Sequence, residues 1–342
     1  MGILTVTLIL SFALPAQHRD PSLLRFFALR PTPLPSPRPA PPGGALPLLS
    51  FRDLRTHDAA LTVPGERCRV AVLGFRGAPA RKEDDWLAVE LADSLARKLG
   101  TLGGLEFIDP AAVRSFERRH AKGRAAGPDM GQLVVLARRA RAEIVVSGTL
   151  ARKGDALAVE LMVMRPETGA VSERVRVEGR SGRICEIEAR MASRVASLLG
   201  VPPSDAEMER LAGCPTSSPA AFEELAMARQ AADGSHTKIR HLQRTVDADP
   251  GCVEARCMLG DAYYGIGVTY QYVEWFNMAL AEYRKAAALS PGCARAYSGM
   301  GLVYMMNGRY DLARRALEKA VESDPGSKPA RSSLARLEGM GY

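Results

Sequence analysis

Apolar and polar positions change period along this chain, and each change marks a new kind of element. Val70-Ala71-Val72-Leu73 is unbroken apolar sequence ending at Gly74-Phe75, which predicts a buried strand. After Asp84 and Asp85, Leu87, Leu91, Leu95 and Leu99 recur every fourth residue. That spacing predicts an amphipathic helix, with its acidic start at the positive end of the dipole and Gly103-Gly104 ending it. Leu105 to Ile108 reads as a short strand. Asp109-Pro110 joins an N-cap to a proline in the first turn and opens a helix to about His120. A helix from Pro128 carries Leu133, Leu136 and Ala140, and Ile144-Val145-Val146 reads as a second buried strand. The period then drops to two: Leu157, Val159, Leu161 and Val163 alternate with Ala158, Glu160 and Met162, after a hairpin turn at Lys153-Gly154-Asp155. Glu167-Thr168-Gly169 turns into a strand on which Val171, Val175 and Val177 point one way, and Ser181 to Gly200 closes with a helix. This order predicts an α/β domain over residues 67–200, a mixed sheet with helices largely on one face.

From residue 220 the helical period stands alone. Residues 294–325 read as two amphipathic helices broken at Asn307-Gly308. Tyr297, Met300 and Tyr304 share a face of the first, and Leu317 and Val321 share a face of the second. Gly301, Ala313 and Ala320 are small where the two helices must approach, and Pro325 ends the pair. This stretch resembles the tetratricopeptide repeat (TPR). Counted from Ala294, those four residues stand at the family's eighth, twentieth, twenty-seventh and thirty-second places. An earlier unit runs from Val253 to Pro291, overlong near Gly265 to Tyr272. A degenerate first unit runs from Ala220 to Pro250, with Thr245 where alanine is usual. Ser327 to Leu337 reads as a capping helix, with Leu334 and Leu337 covering the last repeat. The expected architecture is thus an α/β domain followed by an all-α TPR solenoid over residues 220–342.

The resemblance implies a binding protein whose first helices line a concave groove. The groove places fall on Arg295, Ser298, Leu302, Met305 and Met306 in the third unit, and on Glu254, Cys257, Asp261, Tyr264 and Gly265 in the second. Met305-Met306 suits an adaptable apolar contact or, equally, packing against a neighbouring helix. The basic and asparagine set with which chaperone-binding TPRs hold a carboxyl terminus is missing: the corresponding places hold Glu223 and Met227, Cys257 and Asp261, Ser298 and Leu302. A second candidate surface is the overlong stretch, with Tyr270, Tyr272, Trp275 and Phe276 nearby.

Val70 to Phe75, Trp86-Leu87-Ala88, Gly104-Leu105 and Gly148-Thr149-Leu150 follow, in order, the pattern of the TolB amino-terminal-like domain, which the 67–200 region resembles. Gly74 stands where that family carries proline. The resemblance implies no catalytic role. It implies a domain that precedes TPRs, either in the cell envelope or as the sensory part of bacterial signalling proteins with cyclase, kinase or DNA-binding outputs.

The remaining sequence limits these readings. Residues 1–66 read as a disordered segment, and Pro31 to Ser50 holds eight prolines, a composition that favours polyproline II and builds no core. Residues Ile3 to Leu14 are apolar but too few to span a bilayer. They suit a signal-peptide core with Ala16 before the cleavage point, yet no basic residue precedes them; a misplaced start or a remnant of a longer parent is the alternative. Residues 201–219 read as a Pro- and Ser-rich linker. The net charge of +8 comes mostly from scattered arginines, and the dense runs at Arg118 to Arg124 and Arg138 to Arg141 lack interleaved aromatics, so no nucleic-acid partner is expected. Six cysteines, with no Cys-x-x-Cys and no histidine at ligand spacing, predict neither a zinc site nor a disulfide framework. They favour a reducing compartment, and on balance the cytoplasm over export. Phosphate-binding, dinucleotide, zincin and nucleophile-elbow motifs are absent, so no cofactor is expected and a scaffold is favoured over an enzyme. Oligomeric state leaves no trace in the sequence.

Overall fold

The computed structural model describes residues 68–77, 84–102, 105–120, 135, 137–172 and 174–341. The signal-like stretch, the proline-rich segment and most of the helix expected from Pro128 lie outside them.

The α/β region is built on a sheet of seven strands among the described residues: β1 (Cys68–Val72), β2 (Arg76–Gly77), β3 (Leu105–Phe107), β4 (Ile144–Lys153), β5 (Ala156–Arg165), β6 (Ala170–Val171) and β7 (Val175–Arg180). β3, β1 and β4 are parallel, and β5 returns antiparallel beside β4 through a two-residue turn with Gly154 at φ +60°. β1 and β2 are consecutive stretches of chain along the same edge of β4. Phe75, between them, packs so closely on Gly148 that a Cβ there would lie 2.9 Å from its ring.

Three helices flank the sheet: α1 (Asp85–Leu99), α2 (Pro110–His120) and α3 (Ile184–Leu198). From Val70 onward β1 is apolar, and there it is buried on both sides. Val70 and Val72 join α1 and α3 in one core, while Ala71 and Leu73 join Val113 and Phe116 of α2 in another. Helices therefore cover both faces of the sheet, where the sequence reading has them largely on one. Val171 and Val177 also part company. The pairings Met164↔Val171 and Leu161↔Val175 differ by one residue in register, so a bulge separates β6 from β7. Val171 joins the α2 side with Met164, and Val177 joins the α1 side.

The stretch after α3 is not a bare connection. Ser204 and Glu207 form a capping box that starts α4 (Asp205–Ala212). Leu211 is buried in the core beneath α1, and Lys98 Nζ donates to the carbonyls of Leu211 and Gly213. Cys185 of α3 and Cys214 form a disulfide. This corrects the expectation of no disulfide: the two cysteines are 29 residues apart and meet only because α4 folds back.

Helix pairs follow: α5 (Pro219–Gln230) with α6 (His236–Ala248), α7 (Val253–Tyr270) with α8 (Val273–Leu289), and α9 (Ala294–Met306) with α10 (Tyr310–Ser323), closed by α11 (Lys328–Gly339). The small residues do what their spacing demands. A Cβ at Gly301 would fall 2.6 Å from Leu317 of the partner helix, so α9 and α10 meet at the distance glycine allows. Thr245 is fully buried, and its hydroxyl donates to the His241 carbonyl one turn back. The extra residues of the middle pair lengthen its helices instead of forming a loop, and Gln271 in the left-handed region (φ 59°) turns the chain between them. Leu337 and Leu334 of α11 cover the last apolar face.

Candidate functional site

The candidate groove residues lie on α7 and α9, and the charged ones are already engaged. Arg295, at the start of α9, reaches back to Asp261 on α7, with Nε 3.1 Å from Oδ2. Asp261 Oδ1 accepts from the Tyr283 hydroxyl of α8 at 2.6 Å. Tyr283 is 1% exposed and wedged between Gly260 of α7 and Gly299 of α9. Burial and the adjacent Asp261 carboxylate raise its phenol well above the usual range, so it is a donor at any physiological pH. Burial opposes the Arg295 charge, but the Asp261 carboxylate more than compensates and raises its pKa.

Glu254, at the start of α7, is held bidentately by Arg229 of α5, at 3.1 and 2.8 Å. Arg229 also pairs with Glu90 of α1. Burial works against this guanidinium, yet the Glu90 and Glu254 carboxylates hold its pKa above normal. Gln230 Nε2 donates to the Trp86 carbonyl at 2.9 Å, and Phe222 of α5 is part of the α1 core. The first helix of the helical region is thus anchored to the α/β region by both apolar and ionic contacts. Sequence reasoning missed this junction.

The apolar candidates divide. Tyr264 and Met305 are buried, at 5% and 8% exposure, within the helical core. Tyr264 lies against Phe276, with ring centroids 5.7 Å apart. Ser298, Leu302, Met306 and Gly265 remain partly open, and Cys257 is buried. On α9, Ser298, Leu302 and Met306 are thus the partly open groove candidates, beside the Arg295–Asp261 pair. At the α7–α8 turn, Tyr270 and Tyr272 are 63% and 61% exposed, whereas Phe276 is buried and Trp275 lies against Tyr263. Among the described residues no group of three or more His, Cys, Asp or Glu could hold a metal ion. No helix among them is long and apolar enough to cross a membrane.

The tetratricopeptide repeat family model matches residues 276–337, which span α8 to α11 and include the motif residues Gly301, Ala313, Ala320 and Pro325. That stretch is tetratricopeptide repeat sequence. Among solved structures, the chain is similar to the TPR domain of Arabidopsis OM64 (17% identity, covering 35% of this chain and 96% of that one, TM-score 0.32). It is also similar to the first TPR of Spaghetti (RPAP3) bound to an HSP90 peptide (18% identity, 36% and 96% covered, TM-score 0.31). A third is MamA (24% identity, 46% and 79% covered, TM-score 0.30). A comparison with curated protein sequences finds no match.

Proposed function

We propose that this protein is a non-enzymatic interaction scaffold that binds a protein or peptide along the side of the repeats lined by α5, α7 and α9. The observation that carries the reading is the patch on α9, where Ser298, Leu302 and Met306 stay partly open beside a paired Arg295. An adaptable thioether next to an aliphatic side chain suits an apolar anchor on the partner. The absence of the carboxylate-holding residues argues against an acidic carboxyl-terminal tail as that partner. The test is capture of partners from lysate by the full chain and by Leu302→Glu and Met306→Glu. Loss of the same captured band in both, with circular dichroism unchanged, supports the groove. A band retained by both variants removes it.

We further read residues 67–200 as a TolB amino-terminal-like domain serving as the regulatory or sensory half. Phe75 and Gly148, both part of the motif pattern, pack directly on each other. The Glu90–Arg229–Glu254 chain supports this coupling, because it joins that half to the first two repeats. One observation favours export over a cytoplasmic home: the Cys185–Cys214 disulfide is a bond that persists in oxidising compartments. The intact mass of the native protein from fractionated cells separates these readings.

A further inference from the structure

Two thiols, one of them the buried groove-place residue Cys257, face each other across the repeats. Cys293 is the N-cap of α9, and Cys257 lies in the second turn of α7, 36 positions earlier. Their sulfurs are 3.7 Å apart, within hydrogen-bond reach. A disulfide needs about 2.05 Å, so closure asks for a movement of roughly 1.7 Å. Cys293 sits just after Pro291-Gly292, in the turn between α8 and α9, where an added Cβ at Gly292 would meet nothing within 4 Å. Cys257 is 1% exposed and packed against Ala286 and Ala296, whereas Cys293 is partly open. The pair thus has one accessible sulfur and one sheltered behind it.

We propose that Cys257 and Cys293 are a thiol–disulfide exchange site that closes to a reversible bond between the second and third repeats. The co-reactant is a small-molecule disulfide. The Cys293 thiolate attacks one of its sulfurs, the S–S bond of the small molecule breaks, and one small thiolate leaves. Cys257 then gives up its proton and attacks Cys293 Sγ, the mixed disulfide breaks, and the second small thiol leaves. Two protein thiols are oxidised and one small disulfide is reduced to two thiols.

The electrostatics agree with this order of attack. The contact with Cys257 lowers the Cys293 pKa, and the backbone N–H groups of Ala296 and Arg295 and the Arg295 charge act the same way against burial. The same contact, followed by burial, pushes Cys257 up. The chain supplies its own control. Cys252 caps α7 at the equivalent repeat position, but it is fully buried, and the residue matching Cys257 in the first unit is Glu223, so it has no thiol to close on. Burial raises the Cys252 and Cys68 thiols. Although Cys257 is a groove place, it is buried and the exchange needs no peptide bound there, so the site does not rest on the scaffold reading.

The test equilibrates the full chain in oxidised and reduced glutathione, quenches with acid, alkylates after denaturation and maps peptides by mass. The expected result in the oxidising buffer is loss of both Cys257 and Cys293 from the alkylated pool, a linked peptide lighter by two hydrogens, and recovery of both thiols in the reducing buffer. Cys252 stays alkylatable throughout. Cys257→Ser should stop at Cys293 carrying glutathione, and Cys293→Ser should leave Cys257 unmodified. The proposal is overturned if, in the unsubstituted chain, Cys257 and Cys293 remain as alkylatable as Cys252 under oxidising glutathione. It is equally overturned if glutathione accumulates on Cys257 in Cys293→Ser.

Discussion

Gly74 shows what a single backbone N–H can hold in place. Its N–H donates to both carboxylate oxygens of Glu117, at 3.2 and 3.4 Å. Burial raises the Glu117 pKa, and the Gly74 hydrogen bond is the largest influence opposing that rise. Proline has no N–H to give. Gly74→Pro should therefore cost about 1–3 kcal/mol, measured by urea unfolding, and less in a Glu117→Gln background; equal costs in both backgrounds would sever the link. Met305 and Met306 make a second case. Neighbours on a helix point about 100° apart, so a face assigned from repeat places alone cannot say which of the two is covered. Met305 is buried and Met306 is partly open. Met305→Glu should lower stability by roughly 3–5 kcal/mol by burying an unpaired charge, whereas Met306→Glu should leave the melting temperature nearly unchanged; equal melting points for the two variants would contradict the burial. The apolar half of the candidate site was thus legible as a helix face but not residue by residue.

Elements with strong period were legible, and those set by distant partners were not. Leu87, Leu91, Leu95 and Leu99 predict α1, and all four are buried. The same helix also buries Glu90, Asp93 and Ser94, because α3 and α5 pack against it as well as the sheet and Arg114 of α2 reaches Asp93. No period announces that, since the covering helices come from far along the chain. Helix α4 is a further case: Ser204-x-x-Glu207 is a capping box in plain sequence, hidden among the prolines and serines that suggest a linker. Its position is fixed by Lys98 at its end and by the Cys185–Cys214 bond beyond it. With a sequence separation of 29, this disulfide is worth about 3–4 kcal/mol in the chain-entropy model. Cys214→Ser should remove that much from the stability measured without reductant. Reductant should destabilise the parent chain and spare the variant; equal sensitivity in the two would mean the bond does not form.

The α/β region and the repeats meet around buried charge, and that makes the stability of the whole molecule depend on pH. Glu90 and Glu188 are both buried, and each has one carboxylate oxygen without a hydrogen-bond partner. Arg97 and Arg229 face Glu90, while Lys98 approaches Glu188 at 3.9 Å. Burial, reinforced by the Glu90 charge and opposed by Lys98, raises Glu188 from 4.5 to about 7. The folded chain therefore holds a proton on Glu188 that the unfolded chain has released. Its contribution is complete below pH 4.5 and is lost as pH rises through 7. A shift of this size corresponds to about 3 kcal/mol. Asp93 and Glu117 are also raised by burial and act in the same direction. Glu188→Gln keeps the shape without the ionisation, so it isolates one group from the others. The difference in unfolding free energy between variant and parent should grow in the variant's favour from pH 4.5 to 7 and then level off. A difference that stays flat across that window would mean that Glu188 is ionised throughout and that Lys98 neutralises it fully. The distinction bears on function, because Arg229 carries the charge of this cluster to Glu254 in the repeats. A proton taken up at Glu188 relieves its repulsion with Glu90 and at the same time removes the attraction of its charge for Arg229.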